Sequence, residues 1–251
     1  PGQVTIDMQD YMTKMVEEFP FKLTKSVPTP AAENVFSVDE SSPAVDQERS
    51  EIFHTFVAKA LFACKRSRCD LQVAVAMLCT RVKNPTEEDW KKLLRMMEYV
   101  KSTLGDVLTL RAENLSVIKW YVDASFAVHP DFKSHTGVAM TYGSGVPIAM
   151  SRKQKLNTRS STEAELVGVD DGINLVLWTK LFLEAQGFEI TENKVFQDNQ
   201  SAILLEVNGK RSSSSRTRAL NIRYFFITDQ VETGNVSIEY CPTKLMVADF
   251  F

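Results

Sequence analysis

Residues 120–127, with the sequence WYVDASFA, decide how the second half of the chain folds. Apolar residues alternate along this stretch, which predicts a β-strand with Trp120 and Val122 on one face and Tyr121 and Asp123 on the other. An aspartate is disfavoured inside a strand, and burying it is costly unless its charge is compensated. Small residues, an alanine and a serine, follow it and leave room beside the carboxylate. Asp123 is therefore either a strand-end residue that begins a turn or a metal ligand, and a metal ligand requires partners elsewhere in the chain.

The composition describes a globular protein and excludes several classes of function. The chain has 251 residues, of which 44% are apolar and 24% charged, and its formal net charge of -3 does not indicate a globally basic nucleic-acid binder. The four cysteines form no Cys-x-x-Cys pair and no histidine has ligand spacing, so we expect no zinc site and a reducing intracellular environment. No signal peptide or long apolar run is present, which predicts no membrane span. Because the chain begins without Met and stops abruptly after Phe251, we expect it to be a piece of a longer polypeptide.

The first half of the chain is predicted to be mainly helical. A loop at about 25–47 is rich in Pro, Ser and acidic residues and lacks periodicity. Apolar spacing and capping signals predict a strand at 3–6 and helices at about 7–18, 47–65, 70–82 and 86–103. This half contains no catalytic constellation.

From residue 115 onward, short strands and turns replace the helical pattern. Three consecutive strands predict an antiparallel meander, and the elements after it alternate between helix and strand. The predicted strands are 117–127, 136–142, 146–151, 194–197 and 236–240, and the predicted helices are 161–185, 199–207, 217–232 and one that begins near 244. This order predicts an α/β fold, in which helices pack on a mixed sheet.

Helix geometry distinguishes two glutamates at the start of the long predicted helix. Ser160 and Glu163 match a capping box, in which the Glu163 side chain reaches back to the amide of Ser160. Glu165 lies roughly 200° around the helix from Glu163, at the edge of the apolar stripe that contains Leu166 and Val169. A glutamate on the buried side without a basic partner is costly, so Glu165 is the better functional candidate.

Two further aspartates complete the candidate set. Asp198 ends an apolar strand and precedes a helix, where it is either a helix N-cap or a ligand. Asp249 lies on the final helix, either as an exposed residue or as a ligand. Together with Asp123 and Glu165 they would repel one another without a cation, and oxygen ligands without Cys or His favour Mg²⁺ or Mn²⁺. Two such ions, roughly 3.5–4 Å apart, can activate a water and stabilise the leaving oxygen in phosphodiester hydrolysis.

The residues around these carboxylates resemble the D-E-D-D motifs of ribonuclease H. The matching stretches are YVD at 121–123, STEAEL at 161–166, DNQ at 198–200 and AD at 248–249. More narrowly, the chain is similar to copia-type LTR retrotransposon polyproteins. The stretches that carry this resemblance are SSTEAEL at 160–166, IRYFFI at 222–227, YCPT at 240–243 and ADFF at 248–251, and upstream RSRCDL at 66–71 and DWKKL at 89–93.

The resemblance covers nearly the whole chain and implies two domains. Residues 1–110 resemble a reverse transcriptase thumb and connection remnant, which is mainly helical. Residues 115–251 resemble a ribonuclease H domain truncated at its C-terminus, with a mixed five-stranded sheet and helices on both faces. The implied partners are an RNA–DNA hybrid and the remaining reverse transcriptase domains of the polyprotein, in the cytoplasm within a virus-like particle and with no role for a membrane. The oligomeric state stays open.

The resemblance also implies roles for single residues. Asp123, Glu165, Asp198 and Asp249 would hold two Mg²⁺ ions, or Mn²⁺, for hydrolysis of the RNA strand. Contacts in the minor groove, where the 2′-hydroxyl distinguishes RNA from DNA, fall on matching polar positions. The implied substrate-binding residues are Ser161, Thr162, Asn199, Gln200 and Arg218. The basic segments 152–155 and 210–218 are either solvated surfaces or contacts to backbone phosphates.

Departures from the family pattern change some of these expectations. Ala219 and Asn221 stand where the family has His and Asp, and Cys69 stands where it has Pro. No histidine lies near Thr243, where cellular ribonucleases H place a proton-transfer residue, so product release is expected to differ. Because the chain stops two residues after Asp249, the last helix is expected to be incomplete.

Three functions are weighed against each other. The leading hypothesis is a Mg²⁺-dependent endonuclease that cleaves the RNA strand of hybrids. The stretch VDD at 169–171 resembles the paired aspartates of polymerases, but it is predicted mid-helix on a solvated face, so no polymerase active site is expected. The alternatives are an inactive or degenerate module that binds hybrid or acts as a scaffold, and another nuclease of the same superfold, such as an integrase or junction resolvase.

Overall fold

A computed structural model describes residues 2–209 and 221–251, with the side chains of 221–224 left out. The chain divides into two compact units, Val4–Thr109 and Leu110–Phe251, the second of which includes Pro1–Gln3. This division lies next to the domain boundary predicted at residues 110–115. None of the helices formed by the described residues combines the length and the apolar character that a membrane span requires.

The first unit is helical, as predicted. Its helices are α1 (Gln9–Glu17), α2 (Gln47–Cys64), α3 (Gln72–Cys79) and α4 (Glu87–Ser102), and the strand β1 is Gln3–Ile6. The predicted helix at 70–82 was too long, because its first turn is a separate 3₁₀ turn at Cys69–Leu71 and α3 ends at Cys79. The apolar faces of the four helices, with Phe53, Leu93 and Met97 among their fully buried side chains, form one core. No helix or strand forms between α1 and α2 apart from an isolated bridge at Ala44, which confirms the predicted loop.

Capping residues set where these helices begin. The Asp46 carboxylate accepts a hydrogen bond from the Arg49 amide at 2.8 Å and caps α2. Thr86 caps α4, because its hydroxyl accepts from the Asp89 amide while the Asp89 carboxylate accepts from the Thr86 amide at 3.0 Å. Both caps satisfy amides that have no partner inside the helix.

The second unit is built on a mixed five-stranded sheet, which confirms the predicted fold class. The strands are β3 (Val117–Ser125), β4 (His135–Thr141), β6 (Ile148–Lys153), β7 (Glu192–Gln197) and β8 (Ser237–Tyr240), in the order β6-β4-β3-β7-β8. β4 pairs antiparallel with β3 and β6, as the meander predicted, whereas β7 lies parallel to β3 and β8. Two short strands were missed: β2 (Leu108–Ala112) and β5 (Gly143–Ser144), which pair antiparallel with each other.

Helices α5 (Ser161–Ala185), α6 (Gln200–Asn208) and α7 (Asn221–Glu232) contribute to a core on one face of the sheet. Trp120 is fully buried in this core, and its indole N–H donates to the Asn193 side-chain oxygen at 3.1 Å. Gly172 lets α5 approach the sheet closely, since a Cβ there would lie 3.3 Å from Val138. α5 has the predicted bounds, and the alternation predicted for β3 is present as alternating burial.

The opposite face of the sheet is covered by two 3₁₀ turns, Thr243–Leu245 and Val247–Phe250, rather than by the α-helix predicted near residue 244. Met246 and Ala248 from this segment pack against Tyr121 and Phe196 on the sheet. The amide of Phe251 donates to the carbonyl of Ala248 at 2.9 Å, an i to i+3 bond that closes a short tight turn. Helical turns therefore lie on both faces, but the long helices lie on one.

Candidate metal centre

Three of the four predicted carboxylates converge at one edge of the sheet. Asp123 comes from β3, Glu165 from the second turn of α5 and Asp198 from the residue after β7. Each offers an oxygen atom, and these atoms all lie within 4.8 Å of one another. Among the described residues, no other group of three His, Cys, Asp or Glu side chains converges in this way.

The strand register explains why two of these aspartates meet. In the parallel pair β3 and β7, Tyr121 lies opposite Phe196, so Asp123 and Asp198, each two residues further along, reach the same strand end together. Side chains that follow parallel strands meet at the carboxyl edge of a sheet, where ligand sites commonly form. The meeting of Asp123 and Asp198 is thus a direct consequence of the fold.

Asp123 is partly buried and lies near two other carboxylates. The pKa of its carboxyl is raised to about 6. Burial is the main cause, and the charges of Asp198 and Asp249 contribute in the same direction. The protonated form is favoured because the charged form loses water and meets like charges. A cation at this position would reverse both effects.

Glu165 is the most deeply buried of the three, with 5% of its surface exposed. Burial, together with the smaller effect of the charges of Asp123 and Asp198, raises the pKa of its carboxyl to about 9. Its Oε2 atom has no hydrogen-bond partner among the described residues. Glu165 thus has the buried position that helix geometry predicted, and its role as a ligand stays a prediction.

Glu163 has the capping role predicted for it, with one difference. The Ser160 hydroxyl caps α5 and accepts a hydrogen bond from the Glu163 amide at 3.2 Å. The Glu163 carboxylate accepts from the amide of Arg159 at 2.8 Å, rather than from that of Ser160. The side chain thus satisfies an amide one residue before the cap.

Asp198 is not the N-cap of the helix that follows it. Asn199 takes this position, because its side-chain oxygen accepts hydrogen bonds from the amides of Ser201 and Ala202, both at 3.1 Å. The Asp198 carboxylate instead accepts a hydrogen bond from the hydroxyl of Thr243 at 2.7 Å. Its second oxygen thus remains available to a ligand.

Asp249 lies apart from the other three carboxylates. It is exposed on the second 3₁₀ turn, and its oxygens are outside the group that converges within 4.8 Å. It is near enough for its charge to raise the pKa of Asp123. Its role as a fourth ligand stays a prediction.

The predicted substrate-binding residues lie at the N-terminal ends of α5 and α6. Ser161 and Gln200 are exposed, whereas Thr162 and Asn199 are partly buried. Arg218, like the basic segment 210–218, lies outside the described residues. These helix ends also carry the candidate metal ligands, so the polar groups border the acidic centre.

One predicted surface residue has a different environment. Asp171, expected on a solvated helix face, is only 11% exposed and forms an ion pair with Arg152 at 2.7 Å. The Thr136 hydroxyl also donates to it, at 3.4 Å. The basic segment at 152–155 is therefore partly neutralised within the fold, and this part of the polymerase-like motif has a structural role.

Glu206 on α6 is a further buried acid, which the sequence interpretation missed. Its side chain is completely buried, and neither carboxylate oxygen has a hydrogen-bond partner among the described residues. Burial raises the pKa of Glu206 to about 8, and its charge also raises that of Glu165. The inward positions Ala202, Leu205 and Glu206 follow i, i+3, i+4 spacing, a signal that would have revealed this acid.

The chemistry of the centre fits a hard divalent cation. Three carboxylates lie within reach of one ion, and one buried carboxylate oxygen lacks a hydrogen-bond partner among the described residues. All of these ligands are oxygen atoms, which are the ligands that Mg²⁺ and Mn²⁺ prefer. Without a cation, this arrangement leaves like charges uncompensated. Together with the order and directions of the five strands, these features define a ribonuclease H-like fold with an acidic centre.

Comparison with known proteins gives the relatives of this chain. The "Retrovirus-related Pol polyprotein from transposon TNT 1-94" of Nicotiana tabacum is 28% identical over 249 residues, covering 97% of this chain. The Pol polyprotein from transposon RE2 of Arabidopsis thaliana is 30% identical over 185 residues, covering 73% of this chain. The chain spans 18% and 13% of the lengths of these two relatives. No family model matches the chain. These two relatives are Pol polyproteins from plant transposons, which confirms the predicted resemblance to copia-type polyproteins.

Among solved structures, a ribonuclease H1 isolated from compost, LC11-RNase H1, aligns with 54% of this chain and 91% of its own. Its sequence identity to this chain is 18% and the TM-score is 0.41.

Proposed function

We propose that the unit Leu110–Phe251 is a divalent-metal-dependent ribonuclease H that hydrolyses the RNA strand of RNA–DNA hybrids. The observation that carries this proposal is the convergence of Asp123, Glu165 and Asp198 within 4.8 Å at the edge of a mixed sheet. Homology to Pol polyproteins supports a place in the reverse transcription of a retrotransposon.

Asp123, Glu165 and Asp198 would hold the metal. Two bound Mg²⁺ ions would supply an activated water and stabilise the leaving oxygen of the scissile phosphate. Glu165 must lose its proton to act as a ligand, and its unpartnered Oε2 is placed to face a cation. Asp249, whose charge acts on Asp123, would complete the proposed set. Glu165 and Asp198 would be the ligands nearest the scissile phosphate, as the resemblance to ribonuclease H implies.

The polar residues at the two helix ends would recognise the hybrid. Ser161 and Thr162 at the start of α5, and Gln200 at the start of α6, would contact sugars and base edges in the minor groove. Because the Asn199 oxygen already caps α6, its amide nitrogen is the group left for substrate. Contacts to the 2′-hydroxyl would let the protein select the RNA strand.

The test is a cleavage assay on RNA–DNA hybrid with Mg²⁺, comparing the full chain with Asp198→Asn. The substitution keeps an oxygen that can accept the hydrogen bond from Thr243 but removes a ligand charge, so cleavage is expected to vanish while the fold remains. Asp229→Asn, which neutralises an exposed carboxylate on α7, is the matched control and is expected to cleave like the parent chain. Undiminished cleavage by Asp198→Asn would refute the proposed site.

A second candidate function is a module that binds hybrid without cutting it. The exposed position of Asp249, outside the converging group, favours this alternative. Hybrid binding with no cleavage across a range of Mg²⁺ and Mn²⁺ concentrations would support it. Cleavage of duplex DNA in preference to hybrid would instead indicate another nuclease of the same superfold.

We further propose the partners and the location of the protein. The partners would be the hybrid and the remaining reverse transcriptase domains of the polyprotein, to which Val4–Thr109 would belong as a thumb and connection remnant. The expected location is intracellular, in the cytoplasm within a virus-like particle.

A further inference from the structure

We propose that Thr243 is a positioning residue of the metal centre, which orients the Asp198 carboxylate towards the ion. The Thr243 hydroxyl donates to Asp198 Oδ2 at 2.7 Å. The inference rests on the proposed function, since it assumes that Asp198 is a ligand.

The contact decides how Asp198 presents its two oxygens. Asn199 caps α6, so the helix amides do not hold the Asp198 side chain. Among the described residues, Thr243 is the one side chain that donates a hydrogen bond to this carboxylate. With Oδ2 engaged, rotation of the carboxylate is restricted, and Oδ1 accepts no hydrogen bond from the described side chains and is left for a ligand. Outer hydrogen bonds of this kind orient metal ligands and commonly affect metal affinity by about 10–100-fold.

The backbone around Thr243 is built to hold the hydroxyl in place. β7 and β8 are parallel, and Gln197 lies opposite Tyr240 at their ends. The amide of Cys241 donates to the Gln197 carbonyl at 2.8 Å, which ties the segment after β8 to the residue before Asp198. The amide of Met246 then donates to the Thr243 carbonyl at 3.0 Å and closes the first 3₁₀ turn. Both ends of the contact are therefore fixed by main-chain hydrogen bonds.

The three metal ligands differ in how they are held. Glu165 is constrained by burial, with 5% of its surface exposed, and Asp123 by its place in a paired strand. Asp198 lies past the end of β7 and is partly exposed, so neither packing nor strand pairing fixes its side chain. The hydroxyl of Thr243 restricts the Asp198 side chain, as burial restricts Glu165 and strand pairing restricts Asp123.

The test compares Thr243→Val, which keeps the shape and removes the hydroxyl, with Thr243→Ser, which keeps the hydroxyl. Thr191→Val is the matched control, since it removes an exposed hydroxyl that donates to the Ser116 carbonyl at 3.2 Å. Three quantities are measured on the full chain: Mn²⁺ affinity by calorimetry without nucleic acid, the Mg²⁺ concentration for half-maximal hybrid cleavage, and the urea midpoint. Thr243→Val is expected to weaken Mn²⁺ binding and to raise the required Mg²⁺ by about 10–100-fold. Thr243→Ser and Thr191→Val are expected to stay close to the parent chain.

If the parent chain binds Mn²⁺, three results would overturn the inference. In the first, Thr243→Val binds Mn²⁺ as tightly as the parent chain. In the second, it lowers only the urea midpoint, which would make the contact a structural link. In the third, Thr243→Ser behaves like Thr243→Val. If the parent chain binds Mn²⁺ but does not cleave hybrid, the proposed function fails while the affinity comparison still decides the role of Thr243. A parent chain that binds no Mn²⁺ overturns both.

Discussion

Replacing Glu206 with glutamine is expected to reduce the pH dependence of folding stability. Glu206 is completely buried on α6 and both carboxylate oxygens lack a partner among the described residues, so burial raises its pKa from 4.5 to about 8. A raised pKa in the folded state means that the neutral form is preferred there. The contribution of Glu206 to stability is therefore fully present below the unfolded pKa near 4.5, and it falls as the pH rises towards 8.

The size of this effect follows from the two pKa values. Each pH unit between them is worth about 1.4 kcal/mol, so the upper limit for Glu206 is on the order of 5 kcal/mol. Asp123 and Glu165 also have raised pKa values and add slope of the same sign in the absence of metal. The difference between the parent chain and Glu206→Gln isolates the contribution of Glu206, because the other groups are common to both.

The assay is urea unfolding with a chelator present, at several pH values from 5 to 9. The parent chain is expected to lose several kcal/mol more of unfolding free energy over this range than Glu206→Gln does. Glu189→Gln, which changes an exposed glutamate near the end of α5, is the control and is expected to follow the parent chain. Parallel pH profiles for the parent chain and Glu206→Gln would refute the argument, because they would show that Glu206 is not buried in an ionisable state.

Three further predictions concern the sheet and the metal. Gly137→Ala would place a Cβ 2.6 Å from the Ala248 carbonyl oxygen, so it is expected to displace the second 3₁₀ turn and to lower the urea midpoint; an unchanged midpoint would contradict this packing. Trp120→Phe leaves the Asn193 oxygen unpaired in the core and is expected to reduce unfolding free energy by about 1–3 kcal/mol, and a change near zero would argue against the hydrogen bond. Mg²⁺ affinity is expected to rise from pH 6 to pH 9, because Glu165 with its pKa near 9 must release a proton to bind metal; calorimetry that shows no dependence on pH would exclude Glu165 as a ligand.

Patterns of neighbouring residues were sufficient to predict β3 and α5, the elements that carry Asp123 and Glu165. The alternation around Trp120 predicted the two faces of β3, and the cap at Ser160 predicted where α5 begins. Because helical spacing is strict, the same cap also distinguished Glu163 from Glu165. Each of these predictions depends on residues within a few positions of one another, where backbone geometry leaves few alternatives.

Features that depend on distant parts of the chain were not predictable in the same way. The hydrogen bond between Thr243 and Asp198 joins two residues that are 45 positions apart in the sequence. The parallel pairing of β7 and β8 brings them together. The short strand β5 has two residues, too few for any periodic signal. A final helix was predicted to begin near residue 244, but tight packing of Ala248 against Gly137 accompanies a 3₁₀ turn instead. The domain roles and the substrate contacts stay predictions.

The buried acids at and near the metal centre lower the stability of the fold when they are ionised. Glu165 and Glu206 are both buried, each raises the free energy of the folded state when it ionises, and the charge of Glu206 makes ionisation of Glu165 harder. A fold optimised only for stability would place apolar side chains at both positions, because burying a carboxyl group costs free energy that burying an apolar side chain does not. The retention of Glu165 is explained if a cation offsets its charge in the working state. No such explanation applies to Glu206, whose oxygens are sealed from solvent. Its carboxyl group is expected to stay neutral below its pKa of about 8, and only its ionised form would raise the pKa of Glu165.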